Sequence, residues 1–133
     1  MPLRHDEGIA REAILYRILQ HKGWTTNKGG KHRPSSIAFF EVDGEVSYFI
    51  DSDSMVPELR RIFPGADIAR VPASVVIDAG FAIERRPNEC PEDFRCNPAC
   101  HVVVGPAQPM EPNDYEKRAR SIAKHPDVGI VPK

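Results

Sequence analysis

The sequence predicts a single α+β domain, a small antiparallel or mixed sheet flanked by an N-terminal and a C-terminal helix. Three observations carry that expectation. Apolar residues recur at helical spacing near both chain ends, over Asp6 to His21 and Asn113 to Lys124. Between them lie short β-prone runs at 37–42, 45–50 and 101–104, punctuated by glycine and proline. The 133 residues suit one domain, able to bury roughly two thirds of its unfolded surface.

In chain order, Ala10, Ile14 and Ile18 with Leu15 and Leu19 form the apolar face of the first helix. Asp6 stands at its start and Gly23 at its end. On that helix Tyr16 packs partly and Arg17 is solvated. The stretch 23–36, GWTTNKGGKHRPSS, reads as a polar, mobile loop. Asp43-Gly44 between 37–42 and 45–50 is the strongest hairpin signal in the chain. Within its second strand, Val46, Tyr48 and Ile50 share one face, and Ser47 and Phe49 the other. Ser52 or Ser54 then caps a helix from about Met55 to Phe63, stopped by Pro64-Gly65. A short strand over Asp67 to Val71, a two-turn helix opened by Pro72 and a strand over Phe81 to Arg86 follow. Val102, Val103 and Val104 make a central strand closed by Gly105-Pro106. The last helix has Asn113 and Glu116 in a capping-box pattern and buries Tyr115, Ala119, Ile122 and Ala123. The tail 125–133 frays or adds a short edge strand.

Composition excludes several classes of function. With 18 Lys/Arg against 19 Asp/Glu, a formal net charge of −1 argues against a protein devoted to neutralising phosphate backbones. No apolar run reaches the roughly 20 residues of a membrane span, and MPLRHDEGIARE lacks the apolar core of a secretory leader. Three cysteines are too few for a stapled secreted scaffold, which points to a reducing cytoplasm. Charge is nevertheless segregated. Residues 1–35 hold seven Lys/Arg and three Asp/Glu, whereas residues 36–59 hold six Asp/Glu and no Lys/Arg. Such segments either meet across the fold, face water, or leave a bipolar surface that steers a charged partner.

Two stretches carry candidate chemistry. In the basic loop 22–33, Trp24 beside Lys28, Lys31, His32 and Arg33 suits a base stacked on the indole with cations on phosphate, and Gly29-Gly30 admits close backbone approach. This predicts nucleic-acid or nucleotide binding as an alternative function. It is not a P-loop, because the GxxxxGK[ST] spacing is absent. The stretch Cys90 to Pro106 holds all three cysteines. Cys90, Cys96, Cys100 and His101 supply the donors of a Cys₃His zinc site, but without a CxxC knuckle. Cys96 or Cys100 could serve as a nucleophile with a histidine base, yet His101 adjoins Cys100 in the wrong geometry for a dyad on an extended chain. The third reading is structural: prolines set a long turn, the thiols pack as small apolar groups, and His101 bonds backbone at the start of the strand. Asp51 and Asp53 repeat the DxD of haloacid-dehalogenase-type phosphatases, but Ser54-Met55 break that family's pattern and no downstream motifs follow.

LYR at 15–17, RPSSIAFF at 33–40, GEVS at 44–47 and NPACHVVVGP at 97–106 together resemble a group of small uncharacterised bacterial proteins. That group combines an early LYR-type helix, an SSxAF strand, an acidic-apolar-Ser strand and a late NPAH before an apolar strand. Here Cys100 intervenes between NPA and His101, so cysteine chemistry at that point is local to this chain. The resemblance implies a bacterial, cytoplasmic, self-contained domain and no particular reaction. With no complete catalytic set and no cofactor fingerprint, the sequence predicts a non-catalytic module whose partner is another protein. Nucleic acid is the alternative partner, a small cysteine enzyme the alternative activity, and no membrane partner is expected.

Overall fold

A computed structural model describes residues 3–133, apart from the side chain of Lys28. The architecture is the expected α+β one. Strands β1 (Ile14–Leu19), β4 (Val46–Ile50), β5 (Asp67–Pro72), β6 (Phe81–Arg85), β7 (His101–Pro106) and β8 (Gly129–Ile130) form one sheet. Their order is β6-β7-β4-β1-β5-β8, and every pairing is antiparallel. A separate ribbon joins β2 (Thr25–Lys28) to β3 (Lys31–Pro34). Three α-helices, α1 (Met55–Ile62), α2 (Ala73–Asp78) and α3 (Pro112–Lys124), complete the domain.

Both faces of the sheet are covered. On one face Leu15, Leu19, Val46, Tyr48, Val71, Phe81, Ile83, Val102 and Val104 pack under α2, α3 and the 3-10 turn Ser36–Phe39. On the other, Tyr16, Ile18, Phe49 and Ile68 pack under Met55 and Leu59 of α1 and the 90–100 segment. The predicted split of Val46 and Tyr48 from Phe49 is thus observed.

The N-terminal helix expected over Asp6 to His21 is instead turns followed by β1. This strand lies inside the sheet, paired to β4 and β5. Buried on both sides, it reads as a near-continuous apolar run, which periodicity alone does not separate from a helix. The expected Asp43-Gly44 hairpin also fails. Both edges of β4 are taken, by β1 and β7, so residues 36–39 close into a 3-10 turn rather than pairing back. The hairpin the chain does build is β2–β3, in the stretch expected to be a mobile loop. Gly29 and Gly30 have φ of +61° and +75°, the positive pair a type I′ turn requires. At the other end of the chain, α3 begins on Pro112 rather than on an Asn113 cap, and β8 pairs with β5 as a short edge strand. The opposite edge, β6, is covered by the N-terminal segment: Asp6 N donates to Ile83 O, and Ile83 N to His5 Nδ1.

Arg17, expected in solvent, is 7% exposed on the α3 side of the sheet. Its Nε donates to Ala38 O at 2.9 Å, Nη1 to Ser47 O at 3.2 Å and Nη2 to Glu41 Oε1 at 3.3 Å. The guanidinium carbon lies 4.5 Å from the centre of the Trp24 ring. Burial pulls its pKa down, opposed electrostatically by Tyr48 and Glu41. A guanidinium with several acceptors and an aromatic lid tolerates such a place better than an ammonium would.

Two stability predictions follow from this packing. Arg17→Met strands the carbonyls of Ala38 and Ser47, so urea denaturation should show a loss of about 2–4 kcal/mol. Arg17→Lys should recover only part, because one ammonium cannot span three acceptors. Gly105→Ala should be worse than ordinary overpacking, losing more than about 3 kcal/mol. A Cβ at Gly105 would sit 1.7 Å from the Gly44 carbonyl oxygen, where backbone crosses backbone. Unchanged urea midpoints in either variant would refute the corresponding packing account.

Candidate functional site

The basic loop is an ordered ribbon, and its residues divide. Trp24 is half-buried, edge-on to His21 with ring centroids 4.5 Å apart and covered by Arg17, so its faces are largely spent on packing. His32 bridges Asn27 at 2.9 Å and Asp67 at 2.8 Å. Arg33 Nη2 donates to Ala123 O, His125 O and Val128 O at 2.9–3.1 Å, tying the ribbon to the end of α3. Lys31 remains exposed, paired in register with Lys28, whose side chain lies outside the described structure. Lys31 and Arg33 line one cavity with Arg120 and Lys124 of α3; Trp24 and His32 do not.

The cysteine stretch packs as an excursion over the second face of the sheet. Cys90, Cys96 and Cys100 are free thiols that join Phe94 against Met55, Leu59 and Phe49. Burial pushes Cys90 up to about 11 and raises Cys100 as well. Cys96 Sγ is 3.4 Å from Ser54 Oγ, which forms no helix-capping bond, and donates to Ser54 O at 3.7 Å. His101 is buried, with Nδ1 donating to Arg86 O at 2.7 Å and its ring 5.3 Å from Phe49. Among the described residues no thiol hydrogen-bonds a histidine, and no three His, Cys, Asp or Glu side chains are grouped to hold a metal ion. The excursion is anchored by Glu58, a buried carboxylate on α1. It accepts from Arg61 at 2.8 and 2.9 Å and from the Arg95 N–H. The Arg61 hydrogen bond is the main cause that holds Glu58 down at about 2.

A concavity of about 670 Å³ lies beside the N-terminal segment. Three of its charged side chains are paired, Arg85 with Asp6 at 2.8 Å and Glu84 with Arg86 and the Arg4 N–H. A different surface follows α3. The exposed large apolar side chains among the described residues are Ile37, 53% exposed, and Val42, 95% exposed. Both belong to the segment between β3 and β4. Val42 borders a cavity of about 480 Å³ that includes Phe40, Met110 and Tyr115 in its walls. Phe40 and Tyr115 meet with ring centroids 4.5 Å apart and planes tilted by 50°. Phe40 also borders the next concavity, where Ile37 meets Glu116 and Ala119. Exposed Asp43, Glu111 and Glu116 stand at or beside these walls. Nothing in the sequence periodicity marks this surface, because 37–42 reads as the first strand of a hairpin.

No protein-family model, curated protein or solved structure matches the sequence. No helix among the described residues is long and apolar enough to cross a membrane.

The thiol environment is directly testable. At about 11, Cys90 is ionised to roughly 0.1% at pH 8, against about a quarter for an ordinary thiol near 8.5. Iodoacetamide labelling of Cys90, followed by mass spectrometry, should run at least about thirtyfold slower than labelling of a free thiol. The rate should rise about tenfold for each pH unit up to about 11. Labelling at the free-thiol rate would refute this packing of the segment.

Proposed function

We infer that the protein is a non-catalytic interaction module that docks a partner protein on the face between α3 and residues 37–44. The observation that carries this reading is Val42, an aliphatic side chain 95% exposed beside an apolar, aromatic-walled cavity. Single exposed aliphatics are ordinary on protein surfaces; exposed aliphatics that border adjoining concavities are the pattern of a docking patch. Val42 is held out by the segment's own construction. Ala38 and Phe39 are buried, Glu41 is tied to Arg17, and the Glu41–Gly44 turn closes through Gly44 N donating to Glu41 O at 2.9 Å.

The partner's chemistry follows from the rim. Asp43, Glu111 and Glu116 give this end of the groove a negative potential, so the fitting segment is short and apolar and carries Lys or Arg. The stretch of α3 from Pro112 to Ala119 runs about 10 Å at 1.5 Å per residue. At about 3.3 Å per extended residue, that distance accommodates three or four residues of a partner chain.

Selection of random short peptides on the immobilised protein tests the reading. Binders should combine apolar residues with Lys or Arg. Their solution affinity should fall at least about tenfold in Val42→Asp, an exposed position where the change costs the fold little. Asp78→Ala, which lines neither of these concavities, should bind as the parent does. Failure to select binders, or binders indifferent to Val42→Asp, would overturn it. So would a dimer in sedimentation that Val42→Asp dissociates, since a second copy would then be the occupant.

A further inference from the structure

We propose that the cavity between β3 and the C-terminal half of α3 binds the phosphate group of a small phosphorylated molecule, of nucleoside-monophosphate size or less. This cavity encloses about 410 Å³, within the range of small-molecule sites. Its charged walls are all cationic, with Lys31 and Arg33 from the ribbon and Arg120 and Lys124 from the helix, and no carboxylate lines it.

The four cations have different roles. Arg33 is committed to the three carbonyls at the end of α3, where it offsets the negative end of the helix. Lys31, Arg120 and Lys124 are exposed and form no ion pair among the described residues. Three like charges brought to one concavity repel one another, and a bound dianion reverses that cost. Arg120 offers a planar fork suited to phosphate oxygens, and the lysines add point charge. Ser35 and Ser36 bring hydroxyl donors into the same wall, and the Ser35 side chain makes no capping bond to the turn it precedes.

A small ligand fits better than a nucleic-acid strand. Lys31, Arg33 and Lys124 line this cavity and not the adjoining concavity along α3, where Arg120 is shared but Glu116 would repel a continuing phosphate backbone. Trp24, the natural stacking platform in this region, is packed under Arg17 and does not line the cavity. The site uses residues distinct from Val42 and its apolar cavity, so it stands or falls separately from the docking face.

The test is an NMR titration of the labelled protein at low ionic strength with inorganic phosphate, adenosine 5′-monophosphate, adenosine and oligo-dT. The expected result is saturable movement of the Lys31, Ser35, Ser36 and Lys124 amides by phosphate and the monophosphate, with Kd below about 1 mM. Adenosine should leave them in place. Lys31→Gln combined with Arg120→Gln should weaken the monophosphate at least about tenfold, and Lys117→Gln should not. Absence of saturation at about 10 mM phosphate, or an unchanged affinity in the double variant, would overturn the proposal. Adenosine moving the same amides would assign recognition to the base and overturn it too. Oligo-dT binding far more tightly than the monophosphate, with a steep salt dependence, would make this a nucleic-acid surface instead.

Discussion

The buried guanidinium of Arg17 is the interaction on which the arrangement of the α3 side of the sheet depends. It rises from the middle of the sheet and takes up carbonyls from two separate stretches, Ala38 and Ser47, together with the Glu41 carboxylate. Its free face meets Trp24 at the base of the β2–β3 ribbon. One side chain therefore holds the ribbon, the 3-10 turn and the following loop over a single strand. Burying a charge is costly, and the cost is tolerable here because acceptors and a ring are supplied on every side. Consequently the segment after β3 cannot relax into a strand. It runs as a turn with Phe39 inward and Val42 outward. The docking face and the ribbon wall of the cationic cavity rest on the same anchor.

The two faces of the sheet do different work. The α3 side carries the larger core, in which Tyr115, Ala119 and Ile122 share one cluster with Phe39, Phe81 and Val104. The α1 side is thinner, and the 90–100 excursion completes it. That excursion has little regular structure, so it needs fixed points, and the Glu58–Arg61 pair with the Arg95 amide provides one. His101 provides another by bonding the Arg86 carbonyl across the excursion's ends. The thiols contribute as small apolar bodies, and burial raises the pKa values of Cys90 and Cys100, away from the thiolate state of reactive cysteines.

Much of this was legible in the sequence where Pro and Gly bounded an element on both sides. Helices α1, α2 and α3 and strands β5, β6 and β7 follow from periodicity with Pro and Gly punctuation. Legibility failed where tertiary pairing overrode a local signal. ILYRIL is apolar on both faces because β1 lies inside the sheet, and its single charge, Arg17, is buried, so the usual reading of arginine as solvent-facing misleads. Asp43-Gly44 does form a turn, but the partners of β4 are β1 and β7, strands remote in sequence. Gly29-Gly30 was the true hairpin signal, masked by polar flanks that lack the alternating apolar pattern. Of the loop residues singled out for binding, Lys31 and Arg33 share a cavity, whereas Trp24 and His32 are committed elsewhere. Arg120 and Lys124 joined them only through the fold, since nothing local links α3 to the ribbon.

Charge segregation along the chain acquires a spatial meaning from this topology. The surplus of basic residues in 1–35 and of acidic residues in 36–59 would cancel if the segments paired across the fold. Among the described residues one ion pair joins them, Arg17 with Glu41, and it is the anchor itself. Other acidic groups of 36–59 face water or bind elsewhere, Glu45 to Arg86 and Glu58 to Arg61. Because the 3-10 turn lies alongside α3, one member of each surplus, Asp43 and Lys31, reaches an opposite end of one groove, where charges of the α3 region join it. Asp43 with Glu111 and Glu116 stands toward the start of the helix, and Lys31 with Arg120 and Lys124 toward its end. A near-neutral protein thus presents a local dipole along a single concave face. Such a surface orients a charged ligand before contact and discriminates against the reversed pose, which is where charge contributes most to recognition.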